Sequence, residues 1–280
     1  MVDLQSIYRP LAAAPVRGLR SYREYPPCEA LRPYIRCFWR IDSDCGAPGE
    51  GWLVNPDTCM DIIFSLGNGR EVSWFCGIND RPFVSGAGNH RWYAIRFYGW
   101  AVSLLSQEPL TEVGNVNCDP QRYFGAVARR LSPTVMGAAD FDQWKSRAEQ
   151  IIAQALASRE WEPRVMNTVY QMLAGKGCHT VAELAAYSCV SPRHLERLFR
   201  EHIGVSPKKL GDLVRYQFLW RELVSSPRLD LLDAAYRFGY TDQSHLMRDF
   251  RKYHGVSVSQ ARKQIVGFLQ DSTRSSPYNE

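Results

Sequence analysis

Hydrophobic positions along the chain follow two different periods. From about Tyr22 to Phe97 they come in short runs rich in Trp, Tyr, Phe, Val and Ile, punctuated by "PP", "CGAPG", "NPD", "GNG" and "GAGN". Such runs read as short strands separated by turns. In "YIRCFWRI" the alternation places Ile35, Cys37, Trp39 and Ile41 on one face and Arg36 and Arg40 on the other, and "WYAIRFYG" is a second strong strand. A small β-barrel or sandwich is expected. Past residue 120 the period becomes helical, with helices predicted near Gln121 to Leu131, Asp140 to Ser158 and Glu162 to Leu173. The middle one carries Phe141, Trp144, Ala148, Ile151 and Ala155 at spacings of 3, 4, 3 and 4, a seam two heptads long. That seam either packs on its own domain or pairs two chains as a homodimer helix.

Further on the pattern repeats. An offset of 51 aligns His194 with His245, Leu195 with Leu246, Arg197 with Arg248, Phe199 with Phe250 and Arg200 with Arg251, and runs on through Gly204-Val205-Ser206 and Gly255-Val256-Ser257. Upstream an offset of 50 places Ala185 on Ala235 and Cys189 on Gly239. The one-residue slip falls where an insertion is cheapest, in a turn between two helices. The repeated unit is therefore helix, turn, helix. Thr180 with Glu183 forms a capping box for the first helix, Ser191 caps the second with Pro192 behind it, and Gly204 closes it. In the second copy one helix runs roughly from Asp230 to Phe238, and Asp242 caps the next. A linking helix from Pro207 to Val224 has 18 residues, about 27 Å at about 1.5 Å per residue.

Charge sharpens this picture. From Lys176 to Lys263 there are 15 Lys+Arg against 9 Asp+Glu, so the rest of the 280-residue chain holds 19 against 20. The basic character sits in the repeat. Leu195, Leu198, Phe199, Leu246 and Phe250 take core positions, while Arg193, Glu196, Arg197 and Arg200 point away, as do Gln243, Ser244, Met247, Arg248 and Arg251. A solvated helix usually interleaves acids and bases. Here Arg and Gln dominate, the side chains that read guanine and adenine edges in a major groove. The two helices are read as recognition helices. The roughly 34 Å between major-groove faces one turn apart is close to the length of the linking helix.

With "VAELAAYSCVSPRHLERLF", "SPKKLGDLVRYQFLWRELV" and "AAYRFGYTDQSHLMRDFRKYHGVS" on the page, the segment from about Lys176 to Lys263 resembles the DNA-binding domain of the AraC/XylS family of bacterial transcription regulators. Two departures are visible: Cys189 stands where the turn often has Gly, and Val258 where the motif commonly ends in Pro. Carried over by motif, the resemblance implies base contacts from Arg193, Glu196, Arg197, Gln243, Ser244 and Arg248. It implies phosphate contacts from Arg200, Lys208, Lys209, Arg251 and Lys252, which position but do not specify. His194 and His245 read as structural or backbone-contacting rather than catalytic. The partners implied are double-stranded promoter DNA and RNA polymerase, with activation the expected direction.

The segments "RPYIRCFWRI", "LVNPDTCMDIIFSLG" and "FVSGAGNHRWYAIRFYG" resemble the cupin-like sensor domain of one branch of the same family. A barrel lined by aromatics can hold a small-molecule effector, and Trp39, Trp52, Phe64, Trp74, Trp92 and Phe97 are the candidate lining. With His90 alone in this region, no metal site, no cofactor and no enzyme activity are expected. A DNA-repair enzyme with a cysteine methyl acceptor would need a metal-bound Cys cluster and a Pro-Cys-His motif, and neither occurs. Eight cysteines, at 28, 37, 45, 59, 76, 118, 178 and 189, show no CxxC pair. They read as small buried hydrophobes, with a thiol or thiophilic-metal sensor as the alternative. No apolar run reaches 18 residues, so no membrane span is expected and the chain is placed in the bacterial cytoplasm, at the nucleoid.

The fold class expected is thus α+β multidomain. Residues 1–110 form a cupin-like β-barrel sensor domain, 111–174 a helical connector with the candidate dimer helix, 175–265 an all-α domain with two helix-turn-helix units, and 266–280 a flexible tail.

Overall fold

The computed structural model describes residues 4–11, 22–41, 52–67, 69–85, 90–111 and 113–271. Strands β1 (Arg23–Tyr25), β2 (Ile35–Ile41), β4 (Cys59–Gly67), β5 (Arg70–Cys76), β7 (Arg91–Tyr98) and β8 (Asn117–Cys118) build one antiparallel sheet, while β3 (Trp52–Val54) pairs separately with β6 (Phe83–Ser85). The order in the large sheet is β1-β2-β7-β4-β5-β8, so β1 and β8 are its edges and the sheet is open. A short helix α1 (Leu4–Ile7) precedes the sheet. The closed barrel expected from the sequence is not formed. The physical reason lies in helices α2 (Gln121–Met136) and α3 (Phe141–Leu156), which cover one face. A sheet face buried under helices needs no second sheet curled round to cover it.

Strand alternation divides the side chains between two faces. Ile62 and Phe64 of β4, Ile95 and Phe97 of β7, and Phe75 of β5 join the large core with the helices. Ile63, Ala94, Cys76, Cys37, Trp39 and Ile41 form a second, smaller cluster with Trp74 and Trp92 against it. Ile35 does not share a face with Cys37, because the register of β2 against β7 shifts between them. Such a bulge inserts one residue and exchanges the faces beyond it.

The seam on α3 faces its own sheet. Trp144 is fully buried, meeting Phe38 and Phe64 edge-on at 5.8 Å each and Tyr93 at 5.1 Å. Phe141, Ala148 and Ile151 are buried beside it and Ala155 is half-buried against the same core. These residues are occupied within the chain, so a second copy does not find them as a free face. Helix α2 continues five residues past the expected Leu131, because Val135, four positions on, keeps the same buried stripe.

The C-terminal half is all helix: α4 (Pro163–Ala174), α5 (Val181–Tyr187), α6 (Pro192–His202), α7 (Pro207–Ser225), α8 (Leu231–Arg237), α9 (Gln243–His254) and α10 (Val258–Asp271). Residues 266–271, expected as tail, continue α10, and 272–280 lie outside the described residues. The two halves touch. Gln217 of α7, 1% exposed, donates to Pro56 O at 2.6 Å and Leu11 O at 3.1 Å and accepts from Leu11 N at 2.7 Å. Leu110 N donates to Glu201 O at 2.9 Å, and Lys209 pairs with Asp80.

Candidate nucleic-acid interface and effector cavity

The repeat read in the sequence is written into the backbone. Thr180 Oγ1 accepts from Glu183 N at 3.2 Å while Thr180 N donates to Glu183 Oε2 at 2.7 Å, a complete capping box. Ser191 Oγ accepts from His194 N at 3.2 Å and Asp242 Oδ1 from His245 N at 2.7 Å, so α6 and α9 start in the same way. In the turns before them Cys189 has φ 52° and its aligned partner Gly239 has φ 66°, and after them Gly204 and Gly255 both have φ 81°. A side chain in the left-handed region costs about 1–2 kcal/mol, so the Cys at this turn is strained where Gly is not. Cys189→Gly is expected to raise stability by about 0.5 kcal/mol, the relief being partly offset by the freer unfolded chain. A urea melt of both forms checks it.

Leu195, Leu198 and Phe199 of α6 and Leu246 and Phe250 of α9 are buried, as the spacing required. Arg193, Glu196, Arg197 and Arg200 are exposed on α6, and Gln243, Ser244, Arg248, Arg251 and Lys252 on α9. Four of the basic side chains are engaged within the chain, Lys252 by donating to the Tyr253 hydroxyl at 3.1 Å. Arg197 Nη1 donates to Glu201 Oε1 at 2.9 Å, Lys208 lies 3.9 Å from Asp212, and the half-buried Lys209 is paired with Asp80. Lys209, expected to contact phosphate, is therefore an internal tie in this conformation, because Asp80 stands within its reach. His194 sits against Arg197 Nη2 at 3.2 Å, and His245 Nδ1 meets Thr241 Oγ1 at 2.8 Å and packs edge-on to Tyr240.

Helix α7 carries the second unit through Arg215. Its guanidinium lies 3.0 Å from Asp212 and 3.6 Å from Asp249 and sits 4.5 Å from the centroid of the Tyr240 ring. The linking helix and α9 are thus held by one ion pair, Arg215–Asp249, as well as by apolar packing.

A cavity of about 450 Å³ opens on the sheet face away from α2 and α3. Of the aromatic candidates, Trp39, Trp74 and Trp92 line it, with Val54 of β3 and Phe83 of β6 facing them. Phe64 and Phe97 do not, since alternation sends them into the helix-covered core. The Trp52 side chain and Cys45 lie outside the described residues. Sequence reasoning missed the polar floor. Arg96, buried in the middle of β7, grips Asp61 of β4 with Nε and Nη2, both at 3.0 Å, and has its Nη1 3.7 Å from Asp57 Oδ2. Trp39 Nε1 donates to the same Asp61 at 2.9 Å. Burial pushes the Asp57 carboxyl above its ordinary range, and the nearby carboxylates hold the Arg96 guanidinium firmly charged against the opposing effect of burial. Asn55 is 2% exposed, and among the described residues neither of its amide atoms has a partner. The signal for this cluster was present: Asp61 and Arg96 are single charges inside the otherwise apolar strings "MDIIF" and "AIRFY".

The described residues hold no group of three or more His, Cys, Asp and Glu suited to a metal, and no described helix is long and apolar enough to cross a membrane. Comparison with known proteins places two families on the chain. A helix-turn-helix domain family matches residues 184–264, and the family described as "Domain of unknown function (DUF6597)" matches residues 23–119. The HTH-type transcriptional regulator Rv1931c of Mycobacterium tuberculosis is 31% identical over 90 residues, 32% of this chain and 34% of that protein. The arabinose operon regulatory protein of Escherichia coli is 30% identical over 91 residues, 29% of this chain and 28% of that protein. The matched segment spans about a third of the length of these curated relatives. Among solved structures, an AraC-type regulator from Chromobacterium violaceum matches at 24% identity over 37% of this chain and 93% of its own, with TM-score 0.34. ToxT from Vibrio cholerae matches at 12% identity over 88% of this chain and 99% of its own, with TM-score 0.41. Residues 184–264 are thus a helix-turn-helix domain. The domain is of the AraC type, the family that the sequence motifs had pointed to.

Proposed function

We propose that the protein is a sequence-specific transcription regulator that binds promoter DNA through α6 and α9 and responds to a small molecule held in the N-terminal cavity. The observation that carries the first part is the equivalence of the two helices. Each starts from the same kind of cap, each follows a left-handed turn residue, and each turns arginines outward. At about 1.5 Å per residue the 19 residues of α7 span about 28 Å, which suits successive major grooves on one side of a duplex that bends slightly. A single chain then carries two reading heads, and reading two grooves does not require a second copy. The division into a sensor region, a helical connector and a DNA-binding region belongs to this reading, as do activation and contact with RNA polymerase.

The thiol-sensor alternative finds little support in the cavity. A sensing thiol needs a depressed pKa and access, whereas burial pushes the Cys76 thiol up to about 12 and raises those of Cys37 and Cys59 as well.

Fluorescence anisotropy on the DNA upstream of the protein's own gene, against a scrambled duplex across a salt series, tests the regulator reading. Tighter binding to the native fragment is expected, its logarithm falling linearly with log salt. Arg197→Ala and Arg248→Ala should each lose about 1–3 kcal/mol of specific binding, while Lys208→Ala weakens both duplexes alike. If both arginine variants bind the two duplexes as the parent does, the assignment of the recognition helices is wrong.

A further inference from the structure

The floor of the cavity is electrostatically unbalanced. Arg96 directs Nε and Nη2 at Asp61, so that carboxylate is neutralised by a two-point contact, and Trp39 Nε1 satisfies it further. Asp57 is different. Its Oδ1 accepts from Cys59 N at 2.7 Å, but its Oδ2 has no hydrogen-bond partner among the described residues. Arg96 Nη1 at 3.7 Å is too far for one. Among the described residues, the charged ones lining the cavity are Asp57, Asp61 and Arg96, two acids and one base. Above this floor stand the faces and edges of Trp39, Trp74 and Trp92, with Trp74 and Trp92 in T-shaped contact at 5.2 Å. Beside Asp57, Asn55 offers an unused amide donor and acceptor.

We infer that this cavity takes a small organic cation, an ammonium group carried on an apolar body. The inference rests on the effector-site reading above and names its ligand class. The ammonium supplies the hydrogen-bond donor that Asp57 Oδ2 lacks and a second positive charge beside Arg96, which is shared between two acids, and the indole rings attract a cation through their quadrupoles while covering the apolar body. An anion in the same place would face the Asp57 carboxylate, which Arg96 balances only in part, across a low-dielectric wall. A neutral polyol would leave the surplus charge uncompensated. The cavity lies within the size range of small-molecule sites, and burial already makes an unpaired Asp57 carboxylate unfavourable.

Three probes that share one ring decide the class: benzylammonium, benzyl alcohol and benzoate, titrated calorimetrically into the full chain. Benzylammonium is expected to bind at least about tenfold more tightly than benzyl alcohol, and benzoate more weakly than either. Asp57→Asn should bring benzylammonium down to the benzyl alcohol level and leave benzyl alcohol where it was. Trp74→Leu, at a half-exposed position, should weaken both. The parent ranking settles the question even if Asp57→Asn does not fold. Benzyl alcohol or benzoate binding as tightly as benzylammonium overturns the cation class while keeping an effector site. No heat and no change in tryptophan emission with any of the three removes the effector site itself, and the inference with it.

Discussion

Asp61→Ala should lower the stability of the protein by about 3–5 kcal/mol, the range for removing one partner of a buried ion pair. Arg96 is 7% exposed and gives Asp61 two hydrogen bonds. With the carboxylate gone, the acid left to the buried guanidinium among the described residues is Asp57 at 3.7 Å, and Trp39 Nε1 loses its acceptor. Most of the loss comes from that stranded charge rather than from the net worth of the pair. Asp61→Leu combined with Arg96→Met should therefore recover much of the stability that Asp61→Ala loses. Urea unfolding followed by tryptophan emission measures all three forms. A double variant no more stable than Asp61→Ala would mean that the pair holds the sheet by its own attraction.

The C-terminal half was legible because its signals are local. Caps, turn residues and the 51-residue offset fix each helix within a residue or two, and the structure reproduces even the equivalence of Cys189 and Gly239. The N-terminal half depends on pairings between distant strands. Alternation alone does separate Trp92 from Phe97, five positions apart and on opposite faces of β7, whereas aromatic character alone makes both look like cavity lining. Similarly, the bulge after Ile35 moved that residue to the other face, which no period-two reading of "YIRCFWRI" can show. The Asp61–Arg96 pair joins residues 35 positions apart across β4 and β7. Its two charges stood out within apolar strings, but their meeting follows only from strand register. Gln217 is a similar case. Its place in α7 was plain, whereas its three bonds to Leu11 and Pro56 required both halves to be docked. Pro56 lies between Asn55 and Asp57, so the cavity floor and helix α7, which packs against α9, are joined through one side chain.

The packing around α9 makes the C-terminal half acid-sensitive. His254, its last residue, is fully buried, with Nδ1 2.8 Å from the Tyr216 hydroxyl and the ring between Trp220 and Phe250. Burial holds its pKa down at about 4, against an ordinary 6.5. Between those values the unfolded chain takes up a proton that the folded chain refuses, so stability falls as the pH drops from 6.5 towards 4. At about 1.4 kcal/mol per pKa unit the loss reaches about 3 kcal/mol at the lower end. Above pH 6.5 both states are neutral at this site and it contributes no slope. His254→Phe keeps a ring against Trp220 and Phe250 but leaves Tyr216 without its partner. That variant should be less stable than the parent at pH 7, and the gap should narrow or reverse by pH 4. Urea midpoints of the two proteins at intervals across this range give the difference directly, and because other groups titrate alike in both, parallel curves would show that His254 protonates in the folded state at its ordinary pKa.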